Sequence, residues 1–388
     1  MTRSKTASPH KDERTGTWWF VVDIADTDGK RHQTRRRGYR TKAEAVAVLD
    51  ELRSSVRKGT YIAPTTITLR EFVENKWLPA VRGTLEESTW CSYARNLRTH
   101  VLPRLGSLRI TAVGPEDLNR LYAELSANGR LDAKSGGLSA RTVKYVAVIT
   151  GKVLGDAVRW DYILRNPASR ADPPSPRATL ATRPDPWTGR ELAAFLKACG
   201  ENRYRTLYTF LALTGCRRGE ALGLHWSDVD LEAGVARIRY TITAIEHRIK
   251  VGGQTKTGRE REIELDGPTL AALREWRVRL ARERLLFGTG YAANDLVFCH
   301  PDGRPYHPER VSREFDRMVQ RLSVRRVRLH DLRHGWATMA LKAGVHPKVV
   351  QERLGHANVG VTLNIYSHTD PELRSGAAQK VAGLVFGA

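Results

Sequence analysis

Two arginines, a lysine, two histidines and a tyrosine between positions 217 and 366 supply the groups needed to cleave a phosphodiester without a metal ion. Arginine forks bind non-bridging oxygens, a lysine protonates a leaving alkoxide, a histidine accepts a proton and a phenol attacks phosphorus. The groups fall in four local patterns. Arg217 lies in Thr214-Gly215-Cys216-Arg217-Arg218-Gly219-Glu220, and Lys256 in Thr255-Lys256-Thr257-Gly258-Arg259. His330 and Arg333 share Leu329-His330-Asp331-Leu332-Arg333-His334, while His356 follows Leu354-Gly355 and precedes Tyr366 by ten residues. Taken singly, each pattern has an ordinary reading. An Arg-Glu pair three apart on a helix is usually a surface ion pair. A lysine in a loop keeps a hairpin soluble, and a lone tyrosine is a core residue. His330 and His334, four apart, could also face a zinc ion, with Asp331 where a metalloprotease carries its Glu. Arg333 on the same turn would repel a divalent cation and Asp331 is too short, so no metal is expected. What decides is the set.

Each group needs an element to hold it. Arg217 follows an apolar helix bearing Leu207, Phe210, Leu211 and Leu213. Lys256 is expected in a flexible hairpin loop, marked by Gly252, Gly253 and Gly258, between strands Arg248 to Val251 and Arg261 to Leu265. Three short strands near 235–265 are flanked by helices. Ahead of this region, residues 171–186 hold five of the 17 prolines, which favours an extended connector. Residues 172–186 are therefore read as a linker and 187–388 as the catalytic domain. Residues 65–171 read as a four-helix domain. A capping box at Thr68 and Glu71 opens it and a stop is expected at Pro79; helices follow near 87–100 and 116–127, and a long one runs from about Ser139 to Trp160.

In residues 1–64, alternation over Trp18 to Ile24, a turn at Asp28-Gly29 and a basic stretch from Lys30 to Arg37 predict a hairpin. A helix from Lys42 to about Lys58 follows, capped by Thr41 and Glu44. Arg35, Arg36, Arg37 and Arg40 are read as DNA contacts, because a two-stranded ribbon fits the major groove. The fold class expected is multidomain, mainly α with small β-sheets: an N-terminal sheet-plus-helix module, a helical domain, and a mostly α catalytic domain with a three-stranded sheet.

Composition narrows the partner. The 388 residues carry a formal net charge of +22, divided as +6, +6 and +10 over 1–64, 65–171 and 172–388. A polyanion touching every domain fits this better than a single basic arm does. No run of 18 apolar residues occurs, so a membrane partner is not expected. The start of the chain lacks an apolar secretory segment, and a cytoplasmic location is expected. Cys91, Cys199, Cys216 and Cys299 include no C-x-x-C pair and are read as reduced thiols.

The ordered set Arg217, Lys256, His330-x-x-Arg333, His356, Tyr366 resembles that of the tyrosine recombinases, and the three-part layout resembles phage and mobile-element integrases of the lambda type. Cys216 departs from the usual apolar residue, and Gly335-Trp336 from the usual Thr-Phe. The resemblance implies that Tyr366 attacks the scissile phosphate to give a 3′-phosphotyrosine and a free 5′-hydroxyl. Arg217 and Arg333 would hold the non-bridging oxygens, Lys256 act as general acid, His330 as base and His356 as hydrogen-bond donor, with Glu220 orienting Arg217. It implies arm-type DNA binding by residues 1–64 and core-type binding by 65–171, a homotetramer on double-stranded attachment-site DNA, and no cofactor. It also implies a terminal helix after Pro371 docked on a neighbouring subunit. An excisionase and a DNA-bending host factor are further candidate partners. Two rival readings remain open at this point: a type IB topoisomerase-like strand transferase, and a sequence-specific DNA-binding protein without catalysis.

Overall fold

The computed structural model describes residues 8–25, 31–57, 65–132, 136–175, 185–246, 248–254, 260–355, 358 and 360. The expected sites Lys256, His356 and Tyr366, the Asp28-Gly29 turn and the segment from Pro371 to Ala388 lie outside the described residues. The chain divides into two units, Met1–Ala181 and Thr182–Ala388. Among the described residues no helix is long and apolar enough to cross a membrane.

The first unit opens with an antiparallel sheet of order β1-β2-β3, made of β1 (His10–Lys11), β2 (Trp18–Ala25) and β3 (Arg31–Tyr39). Helix α1 (Lys42–Arg57) follows. Alternation in β2 sends Phe20 and Val22 to one face, where they meet Ala45 and Leu49 of α1 in a small core. The Thr41 hydroxyl accepts from the Glu44 N–H at 3.1 Å, and the Glu44 carboxylate accepts from the Arg40 N–H at 3.0 Å. These bonds satisfy donors that a helix start leaves open.

Four helical rods follow around a separate core. The first runs through α2 (Leu69–Phe72), a π-helical turn at Val73–Trp77 and α3 (Leu78–Val81). The Thr68/Glu71 capping box forms as expected, but Pro79 does not stop the helix, which continues to Val81. The widened turn is the physical reason: the Leu78 N–H already reaches back to the Val73 carbonyl, so the ladder has shifted register before the proline that cannot donate. The second rod repeats the device: α4 (Glu87–Asn96), a π-helical turn at Leu97–Val101, then α5 (Leu102–Leu105) with Pro103 in its first turn. Helices α6 (Pro115–Asn128) and α7 (Ala140–Arg159) complete the set, with Ser139 capping α7. Trp77 is fully buried, and its indole N–H donates to the buried carboxylate of Asp156 at 2.8 Å.

In the second unit, α8 (Gly189–Ala198) starts from a Thr188/Glu191 capping box. Helices α9 (Arg205–Thr214) and α10 (Arg218–Leu222) precede the strands β4 (Val229–Asp230), β5 (Val235–Ile238), β6 (Tyr240–Ile245), β7 (Arg248–Gln254) and β8 (Arg261–Glu264). Helices α11 (Gly267–Phe287), α12 (Pro308–Arg321), α13 (Asp331–Lys342) and α14 (Pro347–Leu354) come after them. Phe195, Tyr208, Phe210, Phe298 and Phe315 fill the core of this unit.

The strand pairing corrects one expectation. A three-stranded sheet is present, in the order β4-β5-β8, but β7 pairs with β6 in a second sheet of two strands. Strands β7 and β8 are therefore not paired as one hairpin, and Lys256, between them in sequence, lies outside the described residues. Tyr240 pairs with Gln254 and Ile238 with Arg261, so β7 ends against β6 and β8 begins against β5. The turn joining β6 to β7 contains Glu246, at φ 47°. Gly252 and Gly253 lie within β7, where Gly253 pairs with Thr241, and glycines inside a strand read in sequence like a turn.

Candidate nucleic-acid and phosphate site

Arg217 owes its position to two helix ends. The apolar face of α9 packs in the core, and the helix stops at Gly215, whose φ of 68° is left-handed. A glycine is required there for a second reason: a Cβ would stand 2.7 Å from Leu354 Cδ2 and 3.1 Å from the Trp336 ring. Gly215→Ala is expected to lower stability by about 1–2 kcal/mol for the backbone alone, with the clash adding to it. Urea unfolding measures this, and a change below about 0.5 kcal/mol, the scatter of ordinary surface substitutions, would contradict the account.

Cys216, buried, leads to Arg217 at the N-cap of α10. The Glu220 carboxylate accepts from the Arg217 backbone N–H at 2.9 Å and from its Nη1 at 2.7 Å. The three-residue spacing thus makes a cap and a guanidinium brace with one carboxylate. It is not a surface ion pair, because the Glu220 side chain is 2% exposed. Burial pushes the Glu220 carboxyl up, but hydrogen bonds and charge from Arg261 and Arg217 outweigh it and hold it below the ordinary range.

The histidine-arginine pattern sits at the start of α13. Asp331, buried, accepts from the Arg328 backbone N–H at 2.9 Å and from its guanidinium at 3.0 and 2.8 Å. That carboxylate stabilises the helix start and is committed to Arg328, which removes the acidic group from the zinc reading. The His330 and His334 rings meet edge to face, with centroids 5.1 Å apart. His330 presents an exposed surface, yet the protein packed around it, together with His334 and Arg333, lowers its pKa to about 4. It is a neutral imidazole at pH 7.

Arg333 joins the two helix ends. It is 4% exposed, and it donates from Nη1 to the Gly215 carbonyl at 2.8 Å and from Nη2 to the Leu354 carbonyl at 2.6 Å. Arg217 Nη2 donates to the next carbonyl, that of Gly355, at 2.8 Å. The C-termini of α9 and α14, each ending in a left-handed glycine, are thereby capped by cations, which their dipoles favour. Burial and the charge of Arg217 lower the Arg333 pKa to about 10, so it remains protonated. Among the described residues Arg217, Arg333 and Arg261 face a single carboxylate, Glu220, and an anion delivered to this cluster would relieve their repulsion.

The structure therefore brings Arg217, Glu220, Arg333 and the turn leading to His356 into one cluster, with His330 at the start of the helix that bears Arg333. Arg261 belongs to this cluster and carried no sequence signal beyond lying five residues after Lys256. Trp336, one of the two departures after the histidine-arginine pattern, packs against Gly215.

In the first unit, Arg35, Arg36, Arg37 and Arg40 are all exposed. Arg35 pairs with Val21 and Arg37 with Trp19, on the face opposite the α1 core, whereas Arg36 pairs with the buried Phe20. Cross-strand partners share a face. The Arg35 guanidinium lies 4.0 Å over the Trp19 ring, and the His10 ring is 5.2 Å from it, giving an open sheet face of cations and aromatics.

Three family descriptions match successive parts of the chain: an arm DNA-binding domain over residues 8–56, an N-terminal SAM-like domain of phage integrases over 68–126, and the phage integrase family over 188–372. The chain is 26% identical to a tyrosine recombinase XerC-like protein of Caldanaerobacter subterraneus subsp. tengcongensis, over 96% of this chain and 97% of that protein. It is 26% identical to an integrase of Streptomyces ambofaciens, over 95% of this chain and 94% of the other. Among solved structures, the Tn1549 transposon integrase in complex with circular intermediate DNA aligns over 82% of this chain and 100% of that one, with TM-score 0.66 and 21% identity. A lambda integrase tetramer bound to a Holliday junction aligns over 94% and 96%, with TM-score 0.58 and 15% identity.

Proposed function

Because the chain belongs to the phage integrase family and is a tyrosine site-specific DNA recombinase, we propose that Arg217, Lys256, His330, Arg333, His356 and Tyr366 carry out its strand transfer, with Glu220 bracing Arg217. One observation carries most of this reading: the guanidinia of Arg217 and Arg333 bind the adjacent carbonyls of Gly355 and Leu354, immediately before His356. Two charged forks thus converge beside a residue expected on the same phosphate.

In this reading the Tyr366 oxygen attacks the scissile phosphorus, the P–O5′ bond breaks, and a 3′-phosphotyrosine and a 5′-hydroxyl result. His330 takes the phenolic proton and Lys256 protonates the leaving 5′-oxygen. Arg217 and Arg333 balance the charge that grows on the non-bridging oxygens. The phosphotyrosyl ester keeps the bond energy, so the 5′-hydroxyl of a second duplex rejoins the strand without ATP. The cations are the protein's own, so formation of the DNA-linked protein on a nicked attachment-site duplex should proceed in EDTA. Loss of the adduct on chelation, with recovery on adding Mg²⁺, would refute this chemistry.

The state of His330 sets an expected pH profile. An imidazole of ordinary pKa near 6.5 is about 90% protonated at pH 5.5 and would lose its base function about tenfold. With its pKa lowered to about 4, His330 stays neutral through that range. Single-turnover adduct formation should hold between pH 7 and 5.5, and a tenfold fall that His330→Gln abolishes would contradict the assignment.

The wider assignments rest on the same family. Residues 1–64 would bind arm-type sites through the face bearing Arg35, Arg37 and Trp19, with further contacts from Arg36 on the other face of β3 and from Arg40 before α1. Residues 65–171 would bind core-type sites, and 172–186 would link them to the catalytic domain, 187–388. A homotetramer on two duplexes, a cytoplasmic setting, an excisionase and a DNA-bending host factor complete the proposal. Support for the tetramer comes from the likeness to the lambda integrase fold.

A further inference from the structure

Three consecutive carbonyls at the end of α14, those of Arg353, Leu354 and Gly355, accept from three different arginines. Two of the donors are Arg333 and Arg217. The third is Arg261, the first residue of β8, which donates from Nε to the Arg353 carbonyl at 2.8 Å. Its guanidinium also makes a bidentate pair with Glu220, Nη2 to Oε2 at 2.5 Å and Nη1 to Oε1 at 3.2 Å. The Arg261 side chain is 11% exposed. Strand β8 and α14 are tied a second time, by Arg353 Nη2 to the Glu264 carbonyl at 2.7 Å. Gly355 leaves room for this packing, since a Cβ there would stand 3.3 Å from Arg261 Nη1 and 3.6 Å from Arg217 Nη1.

We propose that Arg261 is a positioning residue of the recombinase, holding Glu220, and through it Arg217, in fixed register with the turn that leads to His356. Glu220 Oε1 is shared by Arg217 and Arg261. Without Arg261 the carboxylate is free to follow the Arg217 side chain, and the cap and the α14 carbonyls no longer share a frame. The planar fork is needed because it reaches the carboxylate and the carbonyl together, which an ammonium does not. Burial and its bonds to Glu220 and the Arg353 carbonyl keep Arg261 off the phosphate; it acts through Arg217. The inference rests on the role given to Arg217 above.

The test uses the full chain and a nicked duplex that it selects from a randomised pool, with adduct formation measured in single turnover at saturating DNA. Arg261→Met is expected to slow the adduct by on the order of 10²-fold, the effect of a misplaced catalytic group, while the Kd for duplex is unchanged. Arg261→Lys, which keeps the charge on Glu220, should recover part of the rate. A duplex with a methylphosphonate at the scissile position lacks one of the charged oxygens that Arg217 serves. On it the gap between wild type and Arg261→Met should close to within a few-fold. Equal slowing on both substrates means a purely structural role and overturns the proposal, as does a wild-type rate for Arg261→Met. If Arg261→Met does not fold, Arg261→Lys carries the same comparison between substrates. Arg217→Ala identifies the source of a failure: a wild-type rate in that variant removes the premise, whereas a slow Arg217→Ala beside a fast Arg261→Met removes the positioning role alone.

Discussion

Replacing Tyr366 with phenylalanine is expected to abolish the DNA-linked protein while leaving duplex binding intact. The change removes one oxygen, the atom proposed to form the bond to phosphorus. Loss of a nucleophile in comparable covalent mechanisms lowers the rate by a factor on the order of 10⁶, below detection on a denaturing gel. Two tyrosines of the same unit offer no substitute. Tyr208 and Tyr306 are fully buried, and burial raises both phenols above their ordinary range, which disfavours the phenolate that attacks. An adduct that persists in Tyr366→Phe would assign the nucleophile elsewhere. An adduct absent from the wild type as well, on a duplex it binds and whose site is verified, would favour binding without catalysis.

The second large effect belongs to Arg333. Arg333→Ala should slow adduct formation by about 10²–10³-fold, the range for removing a preorganised donor at a developing charge. Its cost in stability should be much smaller, because two terms oppose each other. The Gly215 and Leu354 carbonyls lose a charged donor, worth about 1.5–3 kcal/mol each, and the buried cation that leaves had been opposed by burial and by Arg217 and Arg261. A net loss of about 1–2 kcal/mol is the balance of these terms. Thermal unfolding reads the stability and single-turnover cleavage reads the rate. A folded Arg333→Ala variant that cuts within tenfold of wild type would show that this guanidinium serves the fold alone.

Local chemistry made much of the chain legible beforehand. Capping boxes at Thr68/Glu71 and the cap at Thr41 mark helix starts within one turn of sequence. The apolar spacing of α7 and the alternation of β2 mark the faces that become buried. The same local reading failed where the deciding partner was not local. Pro79 looked like a stop because the π-turn that accommodates it has no residue signature of its own. The stretch from Gly252 to Gly258 looked like a hairpin turn because the strands that claim its two sides, β6 and β5, lie earlier in the chain.

By itself the sequence determined which groups are available for the reaction, their order, and the short-range braces among them, such as Glu220 three residues after Arg217. Residue type sets chemistry, and three- and four-residue spacings set helical neighbours. Only the tertiary structure decided that the ends of α9 and α14 meet. Arg333 bridges carbonyls that lie 118 residues before it and 21 after it, and Arg261 reaches Glu220 across 41 residues and the Arg353 carbonyl across 92. Backbone carbonyls are the same at every position, so no residue pattern announces which of them an arginine will cap. Packing of the helices decides that, and with it which guanidinia can share one phosphate.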